Sequence, residues 1–328
     1  MKRIKALALL SGGLDSALAV KLILDQGIDV EAVNFVSPFC RCGRGGCGAA
    51  EVAKRLKIPL KIMSLGEEYL KVVRKPRHGY GKNMNPCIDC RILTLKKAKQ
   101  YATKSGASFI FTGEVLDQRP MSQHLAALNI IEKEAGLEGK ILKPLSAKLL
   151  PPTEAEKKGW VSREKLLDIS GRSRRRQIEL ARKLDVTGFA CPAGGCLLTC
   201  KEFAAKLKDL FKHRKRVSLR DVELLKVGRH FRFGKSKIIV GRNKAENEAL
   251  LHLRMGEDYV FEAQGCGSPI TLLQGRKTKA AIEKAAELTA RYCDNKQGKV
   301  TVHFGKTAAN KTITVFPLTD EAVNTLRI

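Results

Sequence analysis

"LALLSGGLDSALAV", residues 7–20, decides the fold. The apolar run from residue 4 to residue 10 reads as a buried strand. It stops at Ser11-Gly12-Gly13, and Leu14-Asp15-Ser16 opens a helix. A strand that turns on glycines into a helix aims several backbone N–H groups, and the positive helix end, at one point. That point is a cradle for phosphate. Gly12 and Gly13 leave room for an oxyanion, and Ser11 and Ser16 offer hydroxyl donors. Asp15 makes sense beside an anion if a Mg²⁺ accompanies the phosphates. The lysine of a Walker loop is missing, and so is the glycine spacing of a dinucleotide fingerprint. The bland alternative is an ordinary Gly-rich turn with a serine cap.

Outward from this stretch, residues 29–36 and 60–65 read as strands, with helices at 16–26 and 47–57. A loop rich in Pro, Gly and Asn runs from about 75 to 86, a helix follows at 88–104, and "ASFIFTGE" (107–114) is strand and turn. Strands alternating with helices imply right-handed crossovers and an open, mostly parallel α/β sheet. Ligands bind outside the carboxyl ends of such strands, where Ser11 and Thr112-Gly113 both fall. After residue 140 the pattern weakens into a Pro-punctuated connector with one or two short helices. From about 201 a basic helix leads to shorter apolar pieces, "KIIVG", "DYVFEA", "SPITLLQ", "VTVHF" and "TITVF", with helices at 243–252 and 277–292. The expected domains are 1–204, of the parallel α/β class and including the connector, and 205–328, a smaller α+β unit.

Lys and Arg outnumber Asp and Glu by 61 to 33, a formal charge of +28. Such an excess points to a polyanion, above all nucleic acid. The densest basic runs are "GRSRRRQ" (171–177) and "KHRKR" (212–216). Aromatics are only 5%, which argues against a stacking platform for single strands and for recognition of folded RNA by shape. No segment approaches the 18 apolar residues of a membrane span. "MKRIKALALL" starts like a signal peptide, but Gly12, Gly13 and Asp15 interrupt it and no small-residue cleavage site follows. The expected location is the cytoplasm. Ten cysteines without an export signal then argue for metal or sulfur chemistry rather than disulfides.

"NPCIDC" sets Cys87 and Cys90 three apart just before a helix, so both sulfurs can face one point. A redox pair, half a zinc site, part of an iron–sulfur cluster and a buried structural pair all fit that spacing. "CPAGGCLLTC" supplies Cys191, Cys196 and Cys200, and Gly194 and Gly195 let backbone approach a bulky ligand beside Cys196. "FCRCGRGGC" holds Cys40, Cys42 and Cys47 after the second strand, either an accessory metal site, thiols near a sulfur path, or loop cysteines without a role. His78 reads as a solvated loop histidine.

Ser11 to Ser16, S-G-G-L-D-S, resembles the motif of the PP-loop ATP pyrophosphatases. The resemblance implies that Ser11, Gly12, Gly13, Leu14, Asp15 and Ser16 hold ATP by its pyrophosphate end and that cleavage falls between the α and β phosphates. "GYGKNMNPCIDCR", "TGEVLDQRPMSQ" and "PAGGCLLT" are similar to segments of the PP-loop proteins related to the tRNA thiouridine synthases. Position 117 is Asp where 4-thiouridine synthases have Gly. That likeness, over about residues 4–200, implies that Gly113 and Gln123 help bind ATP and that Leu10 lies under the adenosine. It implies an ATP-dependent tRNA sulfurtransferase that makes an adenylate of a uridine carbonyl oxygen and replaces it with sulfur. The base must leave any stack to react. Neither an extra RNA-binding domain before the loop nor a C-terminal rhodanese domain is expected. Some relatives hold a [4Fe–4S] cluster on three cysteines. Here Cys87, Cys90 and Cys196 are the expected set, with Cys191 and Cys200 as rivals for the third place. A persulfide on Cys90 or Cys196 without iron is the competing arrangement. Residues of about 235–320, with "IIVGRNKAENEALL" and "GSPITLLQG", resemble the small RNA-binding domain of NFACT proteins. The implied partners are tRNA and a sulfur donor, either sulfide or a cysteine desulfurase persulfide, with a homodimer left open. The rival readings are a PP-loop synthetase or amidotransferase on a small acid, and a non-enzymatic RNA-binding metal protein.

Overall fold

The computed structural model describes residues 4–40, 48–189, 195–295, 298–306 and 310–328. The chain divides into two compact units, Met1–Thr199 and Cys200–Ile328. The first contains, in order, β1 (Lys5–Leu9), α1 (Leu14–Leu24), β2 (Asp29–Val36), α2 (Ala49–Arg55), β3 (Leu60–Ser64), α3 (Gly66–Arg74), α4 (Cys87–Ser105), β4 (Phe109–Thr112), α5 (Leu125–Ala135), β5 (Ile141–Leu142), α6 (Glu154–Lys157) and α7 (Arg175–Lys183).

Its five strands pair in parallel, in the order β3-β2-β1-β4-β5. β1 lies between β2 and β4, so the strand order reverses beside it. That reversal opens a crevice at the carboxyl end of β1, the usual ligand site in open α/β sheets. The sequence KALAL suits this central place because both its faces are buried. Ala6 and Ala8 face a core made with Leu18 of α1 and Ala181 of α7. Leu7 and Leu9 face a second core with Ile92, Leu95 and Ala98 of α4 and Ile131 of α5. A buried leucine such as Leu7 contributes about 1.5–3 kcal/mol relative to an exposed one. α4 ends where Gly106 turns left-handed at φ 69°, which returns the chain to β4.

The second unit holds α8 (Lys201–His213), α9 (Leu219–Leu225), β6 (Arg229–Phe233), β7 (Ser236–Val240), α10 (Lys244–Leu253), β8 (Tyr259–Ala263), β9 (Thr271–Gln274), α11 (Lys279–Tyr292), β10 (Val300–Gly305), β11 (Lys311–Val315) and α12 (Asp320–Leu326). Its six strands form an antiparallel sheet in the order β11-β10-β8-β9-β7-β6. Phe231, Ile238, Phe261 and Leu273 pack on one face against Ala281, Ala285 and Leu288 of α11. Ile239 and Leu272 pack on the other against Leu224 of α9 and Leu250 of α10.

Several elements escaped the periodicity reading, namely α3, α5, α6, α9, α12, β5 and β6. β5 has only two residues. α5 starts on an uncommon cap, His124, whose ring nitrogen accepts the N–H of Ala127 at 3.3 Å. The start signal that usually opens a helix is therefore weak there. Among the described residues no helix is long and apolar enough to cross a membrane.

Candidate active site

Ser11 to Ser16 join β1 to α1 in the crevice. Leu9 of β1 is in register with Thr112 of β4, so Ser11 and Gly113 leave adjacent strands side by side. Gly12 is left-handed at φ 78°, a conformation that costs glycine little. Gly13 caps α1 without any side-chain hydrogen bond, so the first-turn N–H groups are left to a ligand. Ser16 donates to the Gly13 carbonyl at 2.8 Å, and its oxygen lies 3.1 Å from that of exposed Ser11. Leu14 is buried at 2% exposure and ties the turn to the core. Leu10 is 1% exposed with its side chain in that same core. Its carbonyl accepts from Asn34 at 2.7 Å, so it borders the crevice through its backbone.

A Cβ on Gly113 would lie 2.5 Å from the Cα and N of Ser16. The loop after β4 therefore rests directly on the start of α1, at a distance only glycine allows. In the same loop Asp117 is left-handed at φ 59°. It adopts the conformation that glycine favours, and aspartate tolerates that region better than most residues. Gln118 donates to Asp15 Oδ2 at 2.6 Å and accepts from Gln177 of α7 at 2.9 Å. Burial raises the pKa of Asp15. The Gln118 hydrogen bond and the charges of Arg174 and Arg119 work against the rise. Three buried acceptors here have no hydrogen-bond partner: Asp15 Oδ1, Gln123 Oε1 and Gln177 Oε1. Unsatisfied buried acceptors cost about 1–3 kcal/mol each, so they mark where a cation or a ligand donor belongs. Asp15 Oδ1 suits Mg²⁺, a hard cation that takes oxygen. Neither Gln118 nor Gln177 stood out in sequence, although both lie in segments that did.

Cys87 and Cys90 sit on the first turn of α4, one helical turn apart on one face. Cys196 reaches them through backbone stitching. Met84 N–H bonds the Leu198 carbonyl at 3.1 Å, Asn83 bonds the Thr199 carbonyl at 2.8 Å, and Leu197 N–H bonds the Phe39 carbonyl at 2.8 Å. Cys196 in turn pairs with Cys40 in an isolated antiparallel bridge. The result is a group of four thiols, with Cys40 beside the expected three. Burial pushes the Cys196 thiol up to about 12, helped by Cys90, Cys87 and Cys40. Cys90 is also raised by burial, although Tyr69 hydrogen-bonds to it and Arg91 attracts its thiolate. Tyr69 of α3 is buried, packs edge-on against Phe39 at 5.9 Å, and holds its proton well above the usual tyrosine range. No sequence signal marked it. Asn85 donates to the Cys87 sulfur at 3.2 Å and touches the Met121 sulfur at 3.7 Å.

Among the described residues no three His, Cys, Asp or Glu side chains converge tightly enough for a single metal ion. A cluster needs wider spacing, because each cysteine binds a different metal atom. The donor set fits such a group. Thiols are soft ligands for iron–sulfur centres, and buried thiolates need a compensating cation. Cys200, one rival third ligand, begins α8 in the second unit. Cys191, the other rival, lies outside the described residues, as do Cys42, Cys47 and Gly194.

His78 is not simply a solvated loop residue, since it lies 2.9 Å from Glu134 while its N–H bonds Asp89 at 3.0 Å. The basic runs are partly engaged inside the protein. Arg176 pairs with Asp168, and Arg214 pairs with Asp221. Deeper in the site, Glu114 is 6% exposed and faces Arg91 at 2.8 Å. Burial alone would raise its pKa, but Arg91 and Lys143 hold it below the usual range.

Residues 2–148 match the family described as thiamine biosynthesis protein (ThiI), and residues 228–327 match the NFACT protein RNA binding domain. The chain is 30% identical over 146 residues to a probable tRNA sulfurtransferase of Thermoanaerobacter sp. (strain X514), covering 43% of this chain and 36% of the relative. It is 33% identical over 96 residues to the tRNA-specific 2-thiouridylase MnmA of Tropheryma whipplei (strain Twist), covering 26% of this chain and 27% of the relative. The chain thus spans about a third of the length of these curated relatives. A 4-thiouridine synthetase–RNA complex with bound ATP is similar at a TM-score of 0.38 and 22% identity, over 68% of this chain and 52% of that one. The U34-tRNA thiolase NcsA from Methanococcus maripaludis is similar at a TM-score of 0.37 and 17% identity, over 64% and 66%. Residues 2–148 therefore form a domain of the ThiI family, and residues 228–327 form an NFACT RNA-binding domain.

Proposed function

We propose that this protein is an ATP-dependent tRNA sulfurtransferase that converts a uridine carbonyl to a thiocarbonyl. One loop carries the reading. Residues 113–123 touch the phosphate turn through Gly113 and Gln118 and the thiol group through Met121, which meets Asn85 beside Cys87. The names of the matched relatives, a tRNA sulfurtransferase and a tRNA 2-thiouridylase, support it, and so does the charge of +28.

In this reading the uncapped N–H groups of α1 and the hydroxyls of Ser11 and Ser16 take the pyrophosphate end of ATP. Gly12 and Gly13 keep the approach open. Leu10 and Leu14 fix the turn from below, and Gly113 sets its distance from the neighbouring strand. Asp15, oriented by Gln118, would hold Mg²⁺ through its unpartnered oxygen. Gln123 would receive a donor from the nucleotide. A uridine oxygen attacks the α-phosphorus, the bond to pyrophosphate breaks, and sulfur then replaces AMP at the ring carbon. Cys87, Cys90 and Cys196 would hold a [4Fe–4S] cluster, which when bound supplies a metal atom that keeps sulfide ready as a nucleophile. Tyr69 and Asn85 orient two of the three sulfurs, and burial limits water at the adenylated base. RNA is held by the basic surface and the NFACT domain, and the sulfur comes from sulfide or a protein persulfide.

The test is pyrophosphate release from ATP by anaerobically purified protein, with and without bulk tRNA, followed by nucleoside mass spectrometry. RNA-dependent release and new thiouridine are expected. Release on a small carboxylic acid and not on tRNA would overturn the reading. Thiolation by iron-free protein would move the sulfur chemistry to a persulfide on Cys90 or Cys196.

A further inference from the structure

We propose that the cleft between the end of α8 and the β6–β7 hairpin is a phosphate-binding site, with Lys237 as its central ligand. The cleft measures about 80 Å³, several times what one water needs. His213, Arg214, Arg232, Lys235, Lys237 and Gln274 line it.

Lys237 is only 5% exposed, yet no carboxylate and no hydrogen-bond acceptor takes its ammonium among the described residues. The nearby acids are already engaged. Asp209 accepts Arg232 through both oxygens and lies 3.2 Å from His213, and Asp221 pairs with Arg214. Gln274 is tied to Asp258 at 2.9 Å. Lys235, Lys237 and the two arginines therefore face two carboxylates, and the excess positive charge is concentrated in the cleft. Burial pushes the Lys237 ammonium down to about 8, and Arg232 and Lys206 add to the shift against Asp209 and Asp221. A methionine would fill that place without the cost of a buried charge. Keeping a lysine there makes physical sense if an anion arrives to meet it.

The anion class follows from the donors. A lysine at the base, a second lysine at the rim and two guanidinium groups surround one small space. Several converging donors suit the three or more free oxygens of a phosphate better than the two of a carboxylate. α8 lies before the matched NFACT segment of residues 228–327, so this chain's own connector helix completes the cleft. RNA phosphate and a free phosphate share this chemistry. The proposal stands apart from the sulfur-transfer reading, since every residue in it belongs to the second unit.

The test uses the full chain and inorganic phosphate, titrated against chloride at constant ionic strength and read by thermal shift. Phosphate should stabilise the wild type, and Lys237→Met should weaken its apparent affinity roughly tenfold or more. Lys235→Gln, on an exposed position that cannot disturb folding, should weaken it by about threefold and serves if Lys237→Met does not fold. A second arm measures bulk tRNA binding against salt. If Lys237→Met lowers the salt slope by about one, the natural source is an RNA phosphate. If the slope is unchanged while phosphate stabilisation is lost, the source is a small phosphate ligand. Equal stabilisation of the wild type and both variants by phosphate would overturn the site.

Discussion

The Cβ that Gly113 lacks would sit 2.5 Å from the Cα of Ser16. The end of β4 and the start of α1 are thereby held at a spacing that any other residue would open. Gly113→Ala should push the phosphate turn away from β4, at roughly 1–3 kcal/mol of overpacking. ATP binding, measured by equilibrium dialysis, should fall about tenfold or more. Gly256→Ala is the control, because an added Cβ there meets nothing within 4 Å. It should change neither binding nor Tm. Unchanged ATP affinity in Gly113→Ala would detach this contact from nucleotide binding.

Asp15 gives a pH-dependent prediction. Burial raises its folded-state pKa above the ordinary 3.8, so the folded protein holds a proton that the unfolded chain has already lost. Stability from this group is therefore present at low pH and is lost as pH rises through the window that opens at the ordinary value and extends above it. At neutral pH ionised Asp15 is a stability cost kept for function. Asp15→Asn should raise Tm at pH 7, and the gain should shrink as pH falls toward 4. Pyrophosphate release should drop by about two orders of magnitude in the same variant. A lower Tm at pH 7 would show that the carboxylate is a net stabiliser.

The strand–turn–helix at residues 4–24 was legible because three local signals agree there: a continuous apolar run, paired glycines and a serine-flanked helix start. The C-x-x-C was legible because spacing alone puts both sulfurs on one helical face. Tyr69 was not, and Cys40 stood out only as one of three loop cysteines, with thiols near a sulfur path as one of its readings. Cys40 enters the thiol group through a bridge to a residue 156 positions later, a pairing set by the hydrogen bonds of Phe39 and Leu197. Tyr69 looks like any aromatic on an amphipathic helix, and only the tertiary fold turns it toward Cys90. Lys237 was hidden for the opposite reason. In "SKIIV" it reads as a strand end in water, but α8 covers it.

Serine substitutions discriminate Cys196 from its rival Cys200. Cys87→Ser, Cys90→Ser and Cys196→Ser should each lose most of the iron bound after anaerobic reconstitution, while far-UV circular dichroism stays native. Cys200→Ser should retain it. Because burial keeps Cys90 and Cys196 protonated, with Cys196 pushed up to about 12, metal uptake must release protons. Iron affinity should therefore climb between pH 7 and pH 9. Tyr69→Phe removes a hydrogen bond that favours the Cys90 thiolate and should slow alkylation of Cys90 in metal-free protein. Full iron retention in Cys196→Ser, with loss in Cys200→Ser, would transfer the third position.

Lys237 titrates with the opposite sign to Asp15. Its folded pKa is lowered from 10.5 to about 8, first by burial and then by Arg232 and Lys206. Asp209 and Asp221 oppose the shift, and His213, Arg214 and Lys235 face the same cleft. Between these two values the unfolded chain holds the proton and the folded protein does not, so stability rises with pH across that window. Below about pH 8 the full cost of the buried charge is present, on the order of 3 kcal/mol if the whole shift is realised. Lys237→Met should remove that cost, raising Tm by several degrees at pH 7 and by progressively less toward pH 10. Bound phosphate should produce the converse in the wild type, holding the lysine charged and erasing the rise of stability above pH 8. If Tm of Lys237→Met and wild type differ equally at pH 7 and pH 10, the ammonium is already compensated in the free protein, and the cleft has no unmet charge for an anion to answer.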